Sequence, residues 1–506
     1  MNANLYELLA AGFPADRDAC CIETHDGHYY SWRDLERATA RIANLLASLD
    51  LPPGARIAAQ VEKSPEALFL YLATLRAGYV YLPLNSAYRA AELQYFIGDA
   101  EPAVVVCAPE HFGPVAHLAF PAGTRHVFTL DVPRDGRNSG SLLARAAHQP
   151  DHFDTVPRHA DDLAAILYTS GTTGRSKGAM LSHGNLAANA QVLRDYWHWQ
   201  PGDVLLHALP LFHVHGLFVA SHGALLNGSK MIFLPKFDAA EVIARLPRAS
   251  VFMGVPTYYV RLLAEAALTR KLCADVRLFI SGSAPLLAST FDAFRERSGH
   301  TILERYGMSE TNMLTSNPYD GARIGGTVGL PLPGVSVRVV DDAGAPCAPG
   351  QPGAIQVKGP NVFSGYWRMP EKTAEEFTAD GYFKTGDVGQ WNDDGYLSIV
   401  GRGKDLIISG GYNVYPKEIE LALDALPGVQ ESAVIGLPHA DYGEAVAAVV
   451  IAQPGAQLDA ARLIGELKQR MAGYKVPKQI FFEEQLPRNT MGKVQKNVLR
   501  ERYGKA

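Results

Sequence analysis

Cysteine is scarce in this chain. The five thiols comprise an adjacent pair, Cys20 and Cys21, and the scattered Cys107, Cys273 and Cys347, in 506 residues. That spacing gives neither a CxxC metal motif nor a disulfide framework, so the cysteines read as reduced. Long apolar runs are also missing. None approaches the roughly 20 residues of a membrane span, and the opening MNANLYELLAAGF lacks a basic segment and a cleavage signature. A cytoplasmic protein with no membrane partner is expected. Charge of one sign is not in excess: the formal net charge is -5 with 20% charged residues, which argues against a general nucleic-acid binder. Internal repeats and low-complexity segments are absent. Two common phosphate signatures are absent as well. GxxxxGK[ST] fails because Lys177 is followed by Gly178, and no GxGxxG occurs, which disfavours a standard P-loop or dinucleotide fold.

What is present is an α/β pattern. Expected strands such as 103–106, 164–168, 278–281 and 335–340 alternate with expected helices such as 32–49 and 62–76. At 506 residues one core does not suffice. The texture changes after residue 400, where GRGKDLIISGGYNVYPKEIE gives a Gly-rich turn and a capped helix, followed by short strands (432–435, 446–451) and a helix at 461–471. The expected organisation is a large N-terminal domain, 1–403, of β-sheets flanked by helices, and a small mobile α+β C-terminal domain, 404–506. From Arg462 onward eleven Lys and Arg face four Glu; such a run is either a solvated face or a surface for an anionic ligand.

The most informative stretch is AAILYTSGTTGRSKGAM (164–180). It enters from an apolar strand, and Gly171, Gly174 and Gly178 let backbone N–H groups approach phosphate oxygens. Thr169, Ser170, Thr172 and Thr173 add hydroxyls, and Lys177 adds charge. Four further clusters follow in order: SGSAPL (281–286), ERYGMSET (304–311), YFKTGDVG (382–389) with GRGKD (401–405), and PRNTMGKVQK (487–496).

In that order and at similar separations the five clusters resemble the motif set of the adenylate-forming superfamily of acyl-CoA synthetases, adenylation domains and beetle luciferases. The resemblance runs from about residue 30 to the end. It implies an ATP-dependent acid:CoA ligase that uses Mg2+ and coenzyme A and forms an acyl-adenylate. It further implies that Asp387 and Arg402 bind the ribose, for which a short carboxylate at a Thr-Gly turn and a guanidinium are chemically apt. Glu310 matches a magnesium-associated carboxylate, and Ser309 a contact to the α-phosphate. Ser283, Ala284 and Pro285 with Glu304, Arg305 and Tyr306 match the walls of the adenine pocket. Lys493 matches the catalytic ammonium that offsets charge gathering at the α-phosphorus. Lys404 matches a hinge about which the C-terminal domain swings, and Gly410 and Gly411 a segment lining a pantetheine tunnel. Acylation of Lys493 by a protein acyltransferase would remove its charge.

The acid itself is read from the segments that line the acyl pocket in relatives, which place His213, Val214, Arg277, Ser283 and Met308 there. A dicarboxylate needs a fixed cation in its pocket, and Arg277, supported by His213, is the candidate; the alternative is that Arg277 is framework, since relatives with different acids also carry Arg there. The stretches VYLPLNSAY, HALPLFHVHGLFVA, MIFLPKFD, LERYGMSETNMLTSNPYDG and LPRNTMGKVQKNVL look like bacterial malonyl-CoA synthetases in particular. They imply malonate as substrate, with methylmalonate as a further one, because a methyl group is worth only about 1–3 kcal/mol of discrimination. The rival readings are a medium-chain or aryl acyl-CoA ligase, an enzyme that loads a carrier protein, and a nucleotide-binding regulator.

Overall fold

Runs such as VVVC (Val104–Cys107) and LFIS (Leu278–Ser281) are buried at every position, as strands are when helices cover both faces of a parallel sheet. The structure is a computed structural model and describes residues 2–131, 140–169, 176–409, 412–439, 443–490 and 492–504. Among these residues the strands form four sheets. A nine-stranded sheet has a parallel core in the spatial order Leu303–Met308, Leu278–Ser281, Val251–Gly254, Val204–His207, Lys230–Phe233 and Cys20–Thr24. A seven-stranded sheet contains the parallel strands Arg56–Gln60, Val80–Pro83, Val104–Cys107 and Leu163–Thr169, the last paired with the antiparallel Lys177–Ser182.

Local chemistry places the covering helices. Ser31 and Asp34 form a capping box at the start of Trp32–Ala47. Ser64 caps Pro65–Arg76, whose proline sits in the first turn, where its missing N–H is harmless. That helix is buried from Pro65 to Leu75, so its sequence is largely apolar, and its buried Glu66 and Thr74 are hydrogen-bonded.

Parallel strands end at a common edge, and open α/β sheets bind ligands outside the carboxyl ends of their strands. Here that edge is where the chain leaves His207 toward residues 208–215, Gly254 toward 255–257, Ser281 toward 282–287 and Met308 toward 309–311. A four-stranded antiparallel sheet, Ser336–Val340, Gly353–Lys358, Phe383–Trp391 and Leu397–Arg402, follows.

The small C-terminal domain has a five-stranded sheet built on the long hairpin Val429–His439 and Gly443–Ala452, with helices Pro416–Asp424, Ala460–Arg470 and Lys496–Tyr503. Its apolar clusters are its own: Ile419, Leu423, Val434 and Leu463 on one side of the sheet, and Ile435, Val449, Leu486 and Leu499 on the other. A separate core is what defines a domain physically. Among the described residues no helix is long and apolar enough to cross a membrane.

Candidate active site

Asp387 and Arg402 face each other because Phe383–Trp391 and Leu397–Arg402 pair in that register. Arg402 Nε lies 3.0 Å from the buried carboxylate, and the Tyr306 hydroxyl donates to its other oxygen at 2.5 Å. Burial, with Asp387 alongside, pushes the Tyr306 phenol well above its usual range and keeps it a donor. Each carboxylate oxygen has a further lone pair to offer.

At the end of the seven-stranded sheet Thr169 and Lys177 are register partners. Ser170, Gly171, Thr172, Thr173 and Gly174 lie outside the described residues. The Lys177 ammonium sits 4.2 Å above the Tyr366 ring and 3.4 Å from Glu376. Tyr366 in turn donates to Glu310 at 3.1 Å, and the Thr169 hydroxyl lies 3.4 Å from the same oxygen. Burial raises the Glu310 carboxyl despite these donors and the Lys177 charge, so a cation beside it would be well placed. No group of three His, Cys, Asp or Glu is arranged to hold a metal among the described residues. A lone buried carboxylate fits Mg2+, which keeps several waters and phosphate oxygens as ligands. Ser309 precedes Glu310 in the same turn.

Along Leu303–Met308 successive side chains point to opposite faces. Glu304 and Tyr306 share one face. Glu304 accepts the Leu286 N–H at 3.3 Å, which holds the Ser283, Ala284 and Pro285 segment against the strand, while its other oxygen has no protein partner. Burial pushes this carboxyl up to about 8. Asn317, from LTSNPYDG, donates both its amide (3.0 Å) and its backbone N–H (2.9 Å) to the Glu304 carbonyl.

Arg305 takes the other face, so strand alternation removes it from the wall with which the sequence motif groups it. It is 2% exposed, and neither Nε nor Nη2 has a hydrogen-bond partner. Its guanidinium packs on the backbone of Gly282, where an added Cβ would lie 2.5 Å from Cζ. Burial pulls it down to about 9, which leaves it charged at neutral pH. Two imidazoles feel that charge. Burial first and Arg305 second hold His213 down at about 4, and the same causes in the same order lower His215 strongly. His213 Nδ1 and His215 Nε2 are buried without partners. Ser283 Oγ lies 3.3 Å from His215 Nδ1, and Ser283 adopts φ +73°, a left-handed conformation costly for a side chain with Cβ. Val214 is buried between the two histidines, and Met308 ends the strand that carries Arg305.

Arg277 is not part of this cluster. It precedes Leu278–Ser281, at the opposite end of the strand from Ser283, and Asp203 likewise precedes Val204–His207. Its Nε donates to Asp203 at 2.8 Å, Nη2 grips the second carboxylate oxygen, and the guanidinium lies 5.3 Å from the Tyr319 ring centroid. The expected acyl-pocket cation is therefore a framework ion pair. The arginine that faces the pocket histidines is Arg305. The motif groups Arg305 with Glu304 and Tyr306, from which strand alternation separates it, and His215 was passed over; the signal that finds both is position, two imidazoles two residues apart in the segment that follows His207 and an arginine just past the last parallel pair of its strand.

The loop bearing Lys493 approaches the large domain at the helix Pro256–Ala264. A Cβ on Gly492, which has φ +76°, would press on the Thr257 side chain at 3.0 Å. Lys404 lies in the short turn Gly403–Asp405, bracketed by the Arg402–Asp387 pair before it and an Asp405–Arg500 pair (2.7 Å) after it. Gly410 and Gly411 lie outside the described residues. Several cations of the basic C-terminal run are paired within their own domain: Arg470 with Glu466, Lys475 with Glu418, Arg488 with Glu431, Lys496 with Glu420, Arg500 with Asp405 and Arg502 with Glu483. An anion-binding surface spanning the run is thereby disfavoured.

The model of the AMP-binding enzyme family matches residues 7–367, and that of the AMP-binding enzyme C-terminal domain matches 418–493. A malonate–CoA ligase of Arabidopsis thaliana is 35% identical, over 99% of this chain and 89% of its own. A feruloyl-CoA synthase of an Amycolatopsis species is 37% identical over 95% of each. The crystal structure of ATP-bound MatB from Rhodopseudomonas palustris superposes with a TM-score of 0.96 at 57% identity, covering 100% of this chain and 99% of that one. With the large-domain and small-domain patterns both present, the chain belongs to the AMP-binding enzyme family.

Proposed function

We propose that this protein is an ATP-dependent malonate:CoA ligase. The observation that carries the substrate is Arg305, a buried guanidinium with two unpartnered N–H-bearing nitrogens at the ligand edge of the sheet. A buried, unpaired cation is costly until an anion reaches it. In adenylation an acid commits one carboxylate to the α-phosphorus, so the anion for Arg305 must be a second carboxylate on the same molecule. Neutral His213 and His215 and the Ser283 hydroxyl add uncharged polar partners. Relatives named as malonate–CoA ligases support the same reading. The feruloyl-CoA relative favours an aryl acid, but such a substrate would leave Arg305 without an anion.

In the first half-reaction a malonate carboxylate oxygen attacks the α-phosphorus of ATP, and the bond to the β-phosphate bridging oxygen breaks, giving malonyl-adenylate and pyrophosphate. Asp387 and Arg402 hold the ribose, with Tyr306 fixing the carboxylate. Ser283 to Pro285 and Glu304 wall the adenine, and Ser309 and the Thr169–Lys177 loop meet the phosphates. Glu310 would hold Mg2+, which would lessen the negative charge on the phosphate oxygens. Lys493 places an ammonium where negative charge gathers, the step that preorganised electrostatics accelerates most. In the second half-reaction the CoA thiol adds to the acyl carbonyl, its proton is lost to solvent, and AMP leaves. The domain 404–506 turns about Lys404 between the two, with Gly410 and Gly411 along the pantetheine path. Methylmalonate is a second substrate. The protein works in the cytoplasm on small molecules, without nucleic-acid or membrane partners, and a protein acyltransferase that neutralises Lys493 would switch off adenylation alone.

The test is a panel of malonate, methylmalonate, succinate, butyrate, octanoate and ferulate with ATP, Mg2+ and CoA, scored by AMP release and product mass. Malonyl-CoA as the dominant product is expected. A higher kcat/KM for butyrate or ferulate than for malonate would overturn the reading.

A further inference from the structure

The loop that presents Lys493 is braced from behind by a pair of charges that the reaction itself does not use. Residues 488–489 and 492–494 pair as the two arms of a small hairpin. Arg488 and Val494 make a β-bridge, the Asn489 N–H donates to the Lys493 carbonyl at 2.9 Å, and the Lys493 N–H donates to Asn489 Oδ1 at 2.9 Å. These bonds fix the shape of the hairpin and leave its direction open, since all of them lie within it.

Direction comes from Arg488. Its Nη2 grips both carboxylate oxygens of Glu431, on the long strand Val429–His439, and its Nη1 donates at 2.6 Å to the carbonyl of Gly492, the residue before Lys493. One planar guanidinium thus joins the rigid sheet to the peptide that carries the lysine. A second anchor follows the hairpin, where Lys496 donates at 2.5 Å to Glu420, a carboxylate only 7% exposed that also accepts the Val434 N–H at 2.9 Å. The loop is therefore tied on both sides of Lys493, and it meets Thr257 across the domain boundary, where a Cβ at Gly492 would be in tight contact at 3.0 Å.

We propose that Arg488 is a positioning residue for adenylation: anchored on Glu431, it holds the Gly492–Lys493 peptide so that the ammonium reaches the α-phosphate. Arg488 itself touches neither substrate nor the reacting atoms. The inference rests on the role of Lys493 given above. A lysine cannot replace it fully, because one ammonium lacks the planar fork that serves the carboxylate and the carbonyl together.

The experiment measures the two half-reactions separately, malonate-dependent pyrophosphate exchange and CoA thioester formation from supplied malonyl-adenylate, in wild type, R488M, R488K and E431Q. The expected result is a loss of exchange in R488M on the order of 10- to 100-fold, the scale of a misplacement near 1 Å, with thioester formation unchanged. R488K should recover part of the exchange. E431Q should lose exchange in the same direction, and the R488M/E431Q double variant should be no worse than R488M, because the two act through one contact. Equal losses in both half-reactions, or no loss of exchange, would overturn the proposal. If R488M has a lowered melting point, R488K and E431Q at wild-type melting points decide in the same terms. Failure of wild type itself to exchange with malonate would sink the substrate reading instead, and the comparison then runs with whichever acid wild type activates.

Discussion

Arg277 and Arg305 sit on or beside adjacent parallel strands, and both are sheltered from water, yet they meet opposite fates. Arg277 stands at the amino end of its strand, where Asp203 takes two of its nitrogens and Tyr319 covers its face. Arg305 stands just past the last parallel pair of the next strand, Ser281 with Glu304, and is surrounded by neutral groups, with two of its nitrogens left unpartnered. The first has its anion built in. The second is built to lack one, and a fold tolerates that cost only where a ligand supplies the charge. The same comparison explains LTSNPYDG: Tyr319 lies against both Arg277 and Arg323, and Asn317 braces the Glu304 carbonyl, so this segment is a support for the site rather than a part of it.

The largest effect expected from breaking this contrast is in the Arg305 corner. Replacing Arg305 with Met strands the distal carboxylate of malonate, at about 2–5 kcal/mol, or roughly 30- to several-thousand-fold in kcat/KM. Steady-state rates with malonate check it, and an unchanged value would remove Arg305 from the pocket. Next is Lys493→Ala, which should lower adenylation by about 10²–10³, the usual worth of one preorganised donor. Thioester formation from supplied malonyl-adenylate should be spared, and equal losses in the two steps would contradict the assigned role.

Arg277→Met should act on stability instead. It leaves Asp203, whose side chain is 3% exposed, buried without its cation, at a cost of about 3–5 kcal/mol. A clear fall in the urea midpoint is expected, and a midpoint equal to wild type would show that the pair is no anchor. The smallest effect concerns His213, held at about 4 against an ordinary 6.5. Between those values the unfolded chain binds a proton that the native imidazole refuses, so stability rises with pH and is lost as pH falls from 6.5 toward 4. His213→Asn should flatten that slope by up to about 1.4 kcal/mol per pH unit. Denaturation at several pH values in this window measures it, and an unflattened slope would mean that the native imidazole is protonated.

Much of the fold was legible in the sequence because periodicity and burial agree. The strand expected at 278–281 is Leu278–Ser281, and the helix expected at 461–471 is Ala460–Arg470. The 62–76 helix starts later, at Pro65, because Ser64 supplies its cap. The nearness of Asp387 to Arg402 was legible too, since the motif series assigns both to one sugar, whereas their direct ion pair was not. Arg277 was not, because neither its direction nor the existence of Asp203 beside it follows from spacing along the chain; the partner lies 74 residues earlier. Arg305 failed for a different reason. A motif groups neighbours in sequence, whereas a strand sends them to opposite faces.

The most direct measurement is the ratio of malonate to butyrate kcat/KM, determined side by side for wild type, Arg305→Met and Arg277→Met. Butyrate has no second carboxylate to strand, so the ratio cancels damage to the fold. The account predicts that Arg305→Met collapses the ratio, with butyrate turnover held or raised, while Arg277→Met leaves it at the wild-type value. A ratio that survives in Arg305→Met and collapses in Arg277→Met would contradict it.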